Sequence, residues 1–156
     1  MVRFHKLLGG VIAAIGLSGC SLLTALPTPT TTDRRLASFP TTDLPLQQAV
    51  TIGWDAHQIP FIEAQTDSDA AFALGMVQAH LRLGQITLAK HLTQGRVSEL
   101  AGPITIDFDR AIRTVGLGRA APAIYQALPP DTKQWLDQFV AGLNTYQNRM
   151  DEHPHA

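Results

Sequence analysis

One cysteine in the whole chain excludes an internal disulfide, so an exported form has to be stable without one. Charge is also scarce: Asp, Glu, Lys and Arg make up 16% of the residues, and the formal net charge is -1. Without residues 1–19, which carry Arg3 and Lys6, ten Lys/Arg face thirteen Asp/Glu, a net of -3. A mildly acidic body with no basic stripe has no source of counterion release, which argues against nucleic acid as a partner. The chain also has no G-x-S-x-G elbow, no phosphate-cradling glycine loop and no H-E-x-x-H pair. Motifs alone therefore give no catalytic residue. What remains is a 45% hydrophobic composition over 156 residues, enough for one globular domain.

The single cysteine is explained by its position. Arg3, His5 and Lys6 form a basic start, Leu7 to Leu17 an apolar run, and Ser18 and Gly19 a small-residue approach to Cys20. That is the layout of a secretory signal, and the run is too short to cross a hydrocarbon core of about 30 Å as a helix. Leu17-Ser18-Gly19-Cys20 resembles the bacterial lipobox. The resemblance implies cleavage after Gly19, diacylglycerol on the Cys20 sulfur and acylation of the new amino terminus. Several acyl chains, at about 0.8 kcal/mol per buried CH₂, anchor durably where one would not. A free N-terminal Cys acting as nucleophile and base together is excluded by the same modification, which consumes both groups.

From Ser21 to Gln48 the chain carries Pro27, Pro29, Pro40 and Pro45, nine threonines or serines, and few large apolar residues. Such a composition does not order itself, so a tether is expected over residues 20–48. The body follows. Val50–Asp55 and Pro60–Ala64 flank a polar turn and predict a short hairpin, with Pro60 at a strand start where its missing N–H does no harm. Thr66-Asp67-Ser68-Asp69 supplies capping oxygens for a long helix that ends near Thr93, at Gln94-Gly95.

That helix has two apolar stripes. Phe72, Met76, Ala79, Leu83 and Ile86 form one; Leu74, Val77, Leu81, Leu88 and Leu92 form another on a different face. A helix apolar on two faces needs covering on both. Gly75 and Gly84 suggest close approach by a neighbouring element. A second helix is expected from Asp107 or Asp109, loosened at Gly116, Gly118 and Pro122, and a third from Pro129-Pro130-Asp131, with Trp135, Phe139, Leu143, Tyr146 and Met150 along one side.

Histidines do not suggest a metal site. His80 and His91 are three helical turns apart, roughly 16 Å, too far to share one ion. His57 lies in a turn and His153 and His155 near the end, so all five are expected at the surface. Arg82 and Gln85, on the apolar helix, fit either a rim position or a buried polar network. Asp109 and Arg113, an i,i+4 pair, read as a solvated ion pair.

Taken in order, these segments resemble the penicillin acylase family of N-terminal-nucleophile amidohydrolases. The resemblance rests on Asp55-x-x-x-Ile59-Pro60-x-Ile62-x-Ala64, then Asp69-Ala70-x-Phe72-Ala73-x-Gly75 and Ala79-x-x-Arg82-Leu83-x-Gln85. It continues through Gly95-Arg96-x-x-Glu99-x-x-Gly102, Asp109-Arg110-x-x-Arg113-Thr114-x-Gly116-Leu117 and Ala141-Gly142-x-Asn144. Trp54, Gln58, Phe61, Leu81 and Gly84 depart from it, standing where the family has Arg, Gly, His, Asp and a bulky residue.

The family implies an α+β architecture. A mainly helical α-chain segment with a short β pair, residues 49–156 here, would form part of an αββα sandwich made by self-cleavage into α and β chains. The β chain's N-terminal Ser attacks an amide carbonyl, with its own amine as base. No position matching that nucleophile or its oxyanion hole occurs in this chain, and calcium, where the full-length family member binds it, is held by residues from elsewhere. The expected partners are the rest of the α chain, the β chain, a membrane through the lipid and a small N-acyl amide. The body would face the periplasm or cell exterior. A non-catalytic, lipid-anchored helical module, or an inactive gene remnant, is the contrasting expectation.

Overall fold

A computed structural model describes residues 31–152; the signal segment, Cys20, His153 and His155 lie outside them. Packing divides the chain into two units at Ser38/Phe39. The described part of the first is helix α1, Thr32–Ala37.

In the second unit, β1 (Thr51–Trp54) and β2 (Pro60–Glu63) form the expected antiparallel pair, with Thr51 opposite Glu63 and Trp54 opposite Pro60. Asp55 makes the turn between them: its Oδ1 accepts the N–H groups of His57 and Ile59, both at 2.8 Å. Gln58 there has φ +62°, in the left-handed region. The glycine that the resemblance leads one to expect at position 58 would adopt that backbone freely, whereas a side chain costs about 1 kcal/mol.

Helix α2 runs from Asp67 to Gln94. It begins at Thr66, whose hydroxyl oxygen accepts the Asp69 N–H at 3.0 Å and donates to the Asp69 carboxylate at 2.7 Å. It ends at Gly95, in the left-handed conformation, whose N–H reaches Leu92 O while that of Arg96 reaches His91 O. Between these ends the helix is not continuous. Arg82 has φ -141° and ψ 19°, a break that divides α2 into two halves. Short helix α3 (Ser98–Ala101) and a 3₁₀ turn (Pro103–Thr105), neither expected from the sequence, precede α4 (Ile106–Val115). A 3₁₀ turn (Leu117–Ala120), α5 (Ala121–Ala127) and the long α6 (Pro130–Glu152) complete the fold.

The core lies where the first half of α2 crosses α6. Ala71, Phe72, Ala73, Met76, Val77 and Ala79 are buried there with Tyr146. Two glycines set the spacing. A Cβ on Gly75 would collide with the backbone carbonyl of Phe139 and lie 3.0 Å from Leu143 N; one on Gly142 would collide with the carbonyl of Phe72 and lie 3.0 Å from Met76 N. Gly84 has open space instead, so the close approach expected of it does not occur.

The stretch expected as an unordered tether is bound at its end. Phe39 packs against Trp54, His80 and Tyr146, Arg149 Nη2 donates to the carbonyls of Thr42 and Asp43, and Gln47 and Gln48 are held by Asp69. Its composition could not order it alone; an aromatic cluster and a buried carboxylate contributed by the body do so. Residues 39–48 are therefore held on the body by side chains distant in sequence.

Candidate functional site

Three groups of polar side chains have the make-up for chemistry, the first of them in the turn after α2. Arg96 meets Glu99 in a two-pronged pair, Nε to Oε1 and Nη2 to Oε2 at 2.7 Å each, and its Nη1 donates to Gln94 Oε1 at 3.1 Å. His91 Nε2 lies 3.7 Å from Glu99 Oε2, while its Nδ1 is 2.8 Å from Thr87 O. Hydrogen bonding from Arg96, then its charge, hold the Glu99 carboxyl below the usual range despite some desolvation. A carboxylate so engaged is a poor proton acceptor for a substrate.

Asp109 departs most from its expected role. Far from being solvated, it is buried, and its two oxygens accept the N–H groups of Val97 and Ser98 at 2.8 Å each. It caps the start of α3 from the first turn of α4. Burial pushes its carboxyl up, but the Ser98 hydroxyl, the two backbone N–H groups and Arg113 outweigh burial and leave it below the ordinary aspartate value. Arg113 turns its Nε to Gly95 O at 2.8 Å. Gly95 fits beneath α4 because a Cβ there would lie 2.6 Å from Asp109 O. Among the motif residues from Gly95 to Arg113, Arg96 thus holds Glu99, Arg113 holds Gly95, and Asp109 holds the backbone of Val97 and Ser98; Gly102, at φ +79° and ψ -171°, allows the reversal between α3 and the following 3₁₀ turn.

Asp69 repeats the device at the other end of α2. Buried, it accepts the N–H groups of Gln47 at 2.8 Å and Gln48 at 3.1 Å, as well as the Thr66 hydroxyl. The Gln47 bond is the largest influence on its carboxyl, which is lowered overall despite burial. Both aspartates are lowered in the fold, so their stabilisation is present above the unfolded value near 4 and is lost as pH falls through the lower folded values. Acid titration followed by circular dichroism should show α3 and the 47–48 attachment failing below about pH 4, with Asp109→Asn losing part of that dependence. A variant with an unchanged acid midpoint would contradict this role.

The third group is His80 with Tyr146. His80 is buried, not at the surface, and its Nδ1 lies 2.9 Å from Tyr146 Oη inside a ring of Phe39, Trp54 and Tyr146. The signal was present in the spacing, because position 80 follows Met76 and Val77 by four and three residues on the buried face. His57 is exposed, as expected.

Arg82 and Gln85 are both exposed. This fits the rim position and not the buried network. Asn144 is exposed on α6. An open cleft of about 540 Å³ lies between the starts of α2 and α6, lined by residues that include Asp67, Ser68, Asp131 and Trp135; no His, Lys or Cys lines it to pair with a nucleophile. Among the described residues, no three His, Cys, Asp or Glu are grouped to hold a metal ion, and no helix is long and apolar enough to cross a membrane.

The site residues thus build a scaffold: carboxylates clip backbone segments, and glycines admit close neighbours. The penicillin amidase family model matches residues 49–155, the segment that contains every one of these clips except the 47–48 attachment. The chain belongs to the penicillin amidase family. It is 36% identical over 132 residues to acyl-homoserine lactone acylase QuiP of Pseudomonas syringae pv. tomato, an alignment covering 85% of this chain and 16% of that protein. To penicillin G acylase of Escherichia coli it is 30% identical over 100 residues, covering 64% of this chain and 12% of that one. Among solved structures, a thermostable penicillin G acylase from Alcaligenes faecalis matches with a TM-score of 0.62 at 21% identity, covering 69% of this chain and 57% of that chain. The fold is that of the penicillin acylases, a mainly helical segment with a short antiparallel pair. This amidase-family chain spans about a sixth of the length of the acyl-homoserine lactone acylases it matches.

Proposed function

We propose that this chain is the N-terminal portion of a lipid-anchored, penicillin-acylase-like hydrolase of linear amides, which removes N-acyl side chains. What supports this is the amidase-family match over residues 49–155 in a chain that spans a sixth of its relatives' length. The nucleophile and oxyanion hole belong to the rest of the protein. Within this chain the assigned roles are scaffolding ones: Asp55, Gly95, Arg96, Glu99, Gly102, Asp109 and Arg113 shape turns, and Cys20 carries the lipid. Calcium, where the full-length protein binds it, draws its ligands from outside this segment. Acyl-homoserine lactones and penicillins, named in the relatives, are the substrate classes to try first.

The experiment has two arms. Purified residues 20–156 should leave N-acyl-homoserine lactone and phenylacetamide substrates intact. Antibody capture of this chain from the membranes of cells that make it should bring amide hydrolase activity with it. Turnover by the purified chain, or capture without activity, would refute the proposal.

A further inference from the structure

The clips account for the buried aspartates but not for the open cleft of about 540 Å³ between the starts of α2 and α6. Its size falls within the range of about 300–1,000 Å³ found for small-molecule sites. Its walls are fixed. Gln134 Nε2 donates to Ser68 Oγ at 2.9 Å, which ties α6 to α2 across the cleft. Gln47, also in the lining, is pinned through its N–H by Asp69 at 2.8 Å. Trp135 supplies the large apolar surface and is 41% exposed. Its ring stacks parallel on Phe139, with centroids 5.6 Å apart and planes 7° apart, so its orientation is set before anything binds.

Around the indole stand hydrogen-bonding groups with no cation among them. The Asp67 carboxylate and Asp131 Oδ2 make no hydrogen bond among the described residues, while Asp131 Oδ1 takes the Thr132 N–H at 2.9 Å. The Thr132 hydroxyl, the Ser68 hydroxyl proton and Gln134 Oε1 are likewise open to a ligand. No Lys, Arg or His lines the cleft, so a phosphate, sulfate or carboxylate would meet two negative charges and no counter-charge. A simple organic cation would use the carboxylates and the indole but leave the hydroxyls and amides idle. Each carboxylate, moreover, sits in the first turn of a helix, where the backbone N–H groups offset its charge. A flat apolar plane bordered by acceptors and hydroxyls matches a ring with a C–H face and hydroxyl donors at its rim. We infer that this cleft is a binding site for a neutral pyranose saccharide. One face of the sugar lies on the Trp135 indole, Asp67 and Asp131 accept hydroxyl protons, and Thr132 and the Ser68–Gln134 pair hold the remaining hydroxyls. The inference does not draw on the hydrolase reading, because it uses the residues of this cleft alone.

The test uses the full chain purified from the membranes of cells that make it. Tryptophan fluorescence and saturation-transfer NMR are read against glucose, N-acetylglucosamine, cellobiose and chitobiose. Saturable binding of at least one of these at millimolar concentration is expected, with saturation reaching the ring C–H protons of the sugar. Trp135→Ala, which removes the platform, and Thr132→Tyr, which fills the cleft from an exposed position, should each weaken that binding at least tenfold. If Trp135→Ala lowers the melting temperature, Thr132→Tyr decides, because it leaves the stacked pair in place. Choline chloride and sodium phosphate, titrated in the same way, should bind at least tenfold more weakly than the best sugar. No binding of any of the four sugars, sugar binding that survives Thr132→Tyr, or choline binding tighter than all of them would overturn the inference. Amide hydrolysis is not read in this experiment, so its outcome is separate from that of the proposed function.

Discussion

Gly142→Val is expected to destroy cooperative unfolding of the body. The position lies where α6 crosses α2, and a Cβ there would collide with the carbonyl of Phe72 and crowd Met76 N. Both obstacles are backbone of a buried helix, so no side-chain rotation relieves them; the helices must separate. Ordinary overpacking costs about 1–3 kcal/mol, and a backbone obstacle places this case at or above the upper end. Separation would also expose Phe72 and Met76, which are almost fully buried and fill the crossing. For a domain with about 5–15 kcal/mol in total, a drop in Tm of about 10 °C or more follows, or loss of the transition altogether. Gly75→Val should act the same way from the other helix, against Phe139. Gly84→Val, where there is open space, is the control and should fall far short of either. A thermal melt of Gly142→Val matching the wild type would show that the crossing is wrong.

Cys20→Ser should move the protein almost completely from the membrane to the soluble exported fraction. A thioether-linked diacylglycerol and an N-acyl chain contribute on the order of 0.8 kcal/mol for each CH₂ buried, so anchorage through them is close to all-or-none. Serine has no thiolate to accept the diacylglycerol and so should block the processing that follows. Fractionation with detergent phase separation and fatty-acid labelling reads both effects. Wild-type protein without label, or a Ser variant that remains as membrane-bound as wild type, would remove the anchor from the account.

Residues whose role is set by periodicity and capping were legible in the sequence. The hairpin, both ends of α2, the start of α6 and the two stripes of α2 follow from spacing, turn residues and glycine placement. Structure that depends on distant partners was not legible. Asp109 and Arg113 stand four apart and suggest a surface pair, but Asp109 is taken by the N–H groups of Val97 and Ser98, and only the fold brings those near. The order in residues 39–48 has the same origin, because Asp69, Arg149 and the aromatic cluster supply what the local composition lacks. Likewise α3 and the 3₁₀ turns are too short to show a period. The break at Arg82 has no Pro at the site, and Gly84, two residues on, reads in the sequence as a packing position and not as a break. Gln58 shows the reverse case: a departure noted from the family pattern falls on a backbone conformation that suits glycine.

Hydrogen–deuterium exchange along α2 in the isolated chain, read by mass spectrometry, tests the central claim most directly. Amides from about position 71 to 80, buried against α6, should exchange slowly, and those from about 85 to 94 on the order of a hundredfold or more faster, because Leu88 and Leu92 leave one side of that half exposed among the described residues. Equal, strong protection along the whole helix would mean that the chain covers its own second apolar face, and would contradict the proposal that it is one portion of a larger hydrolase.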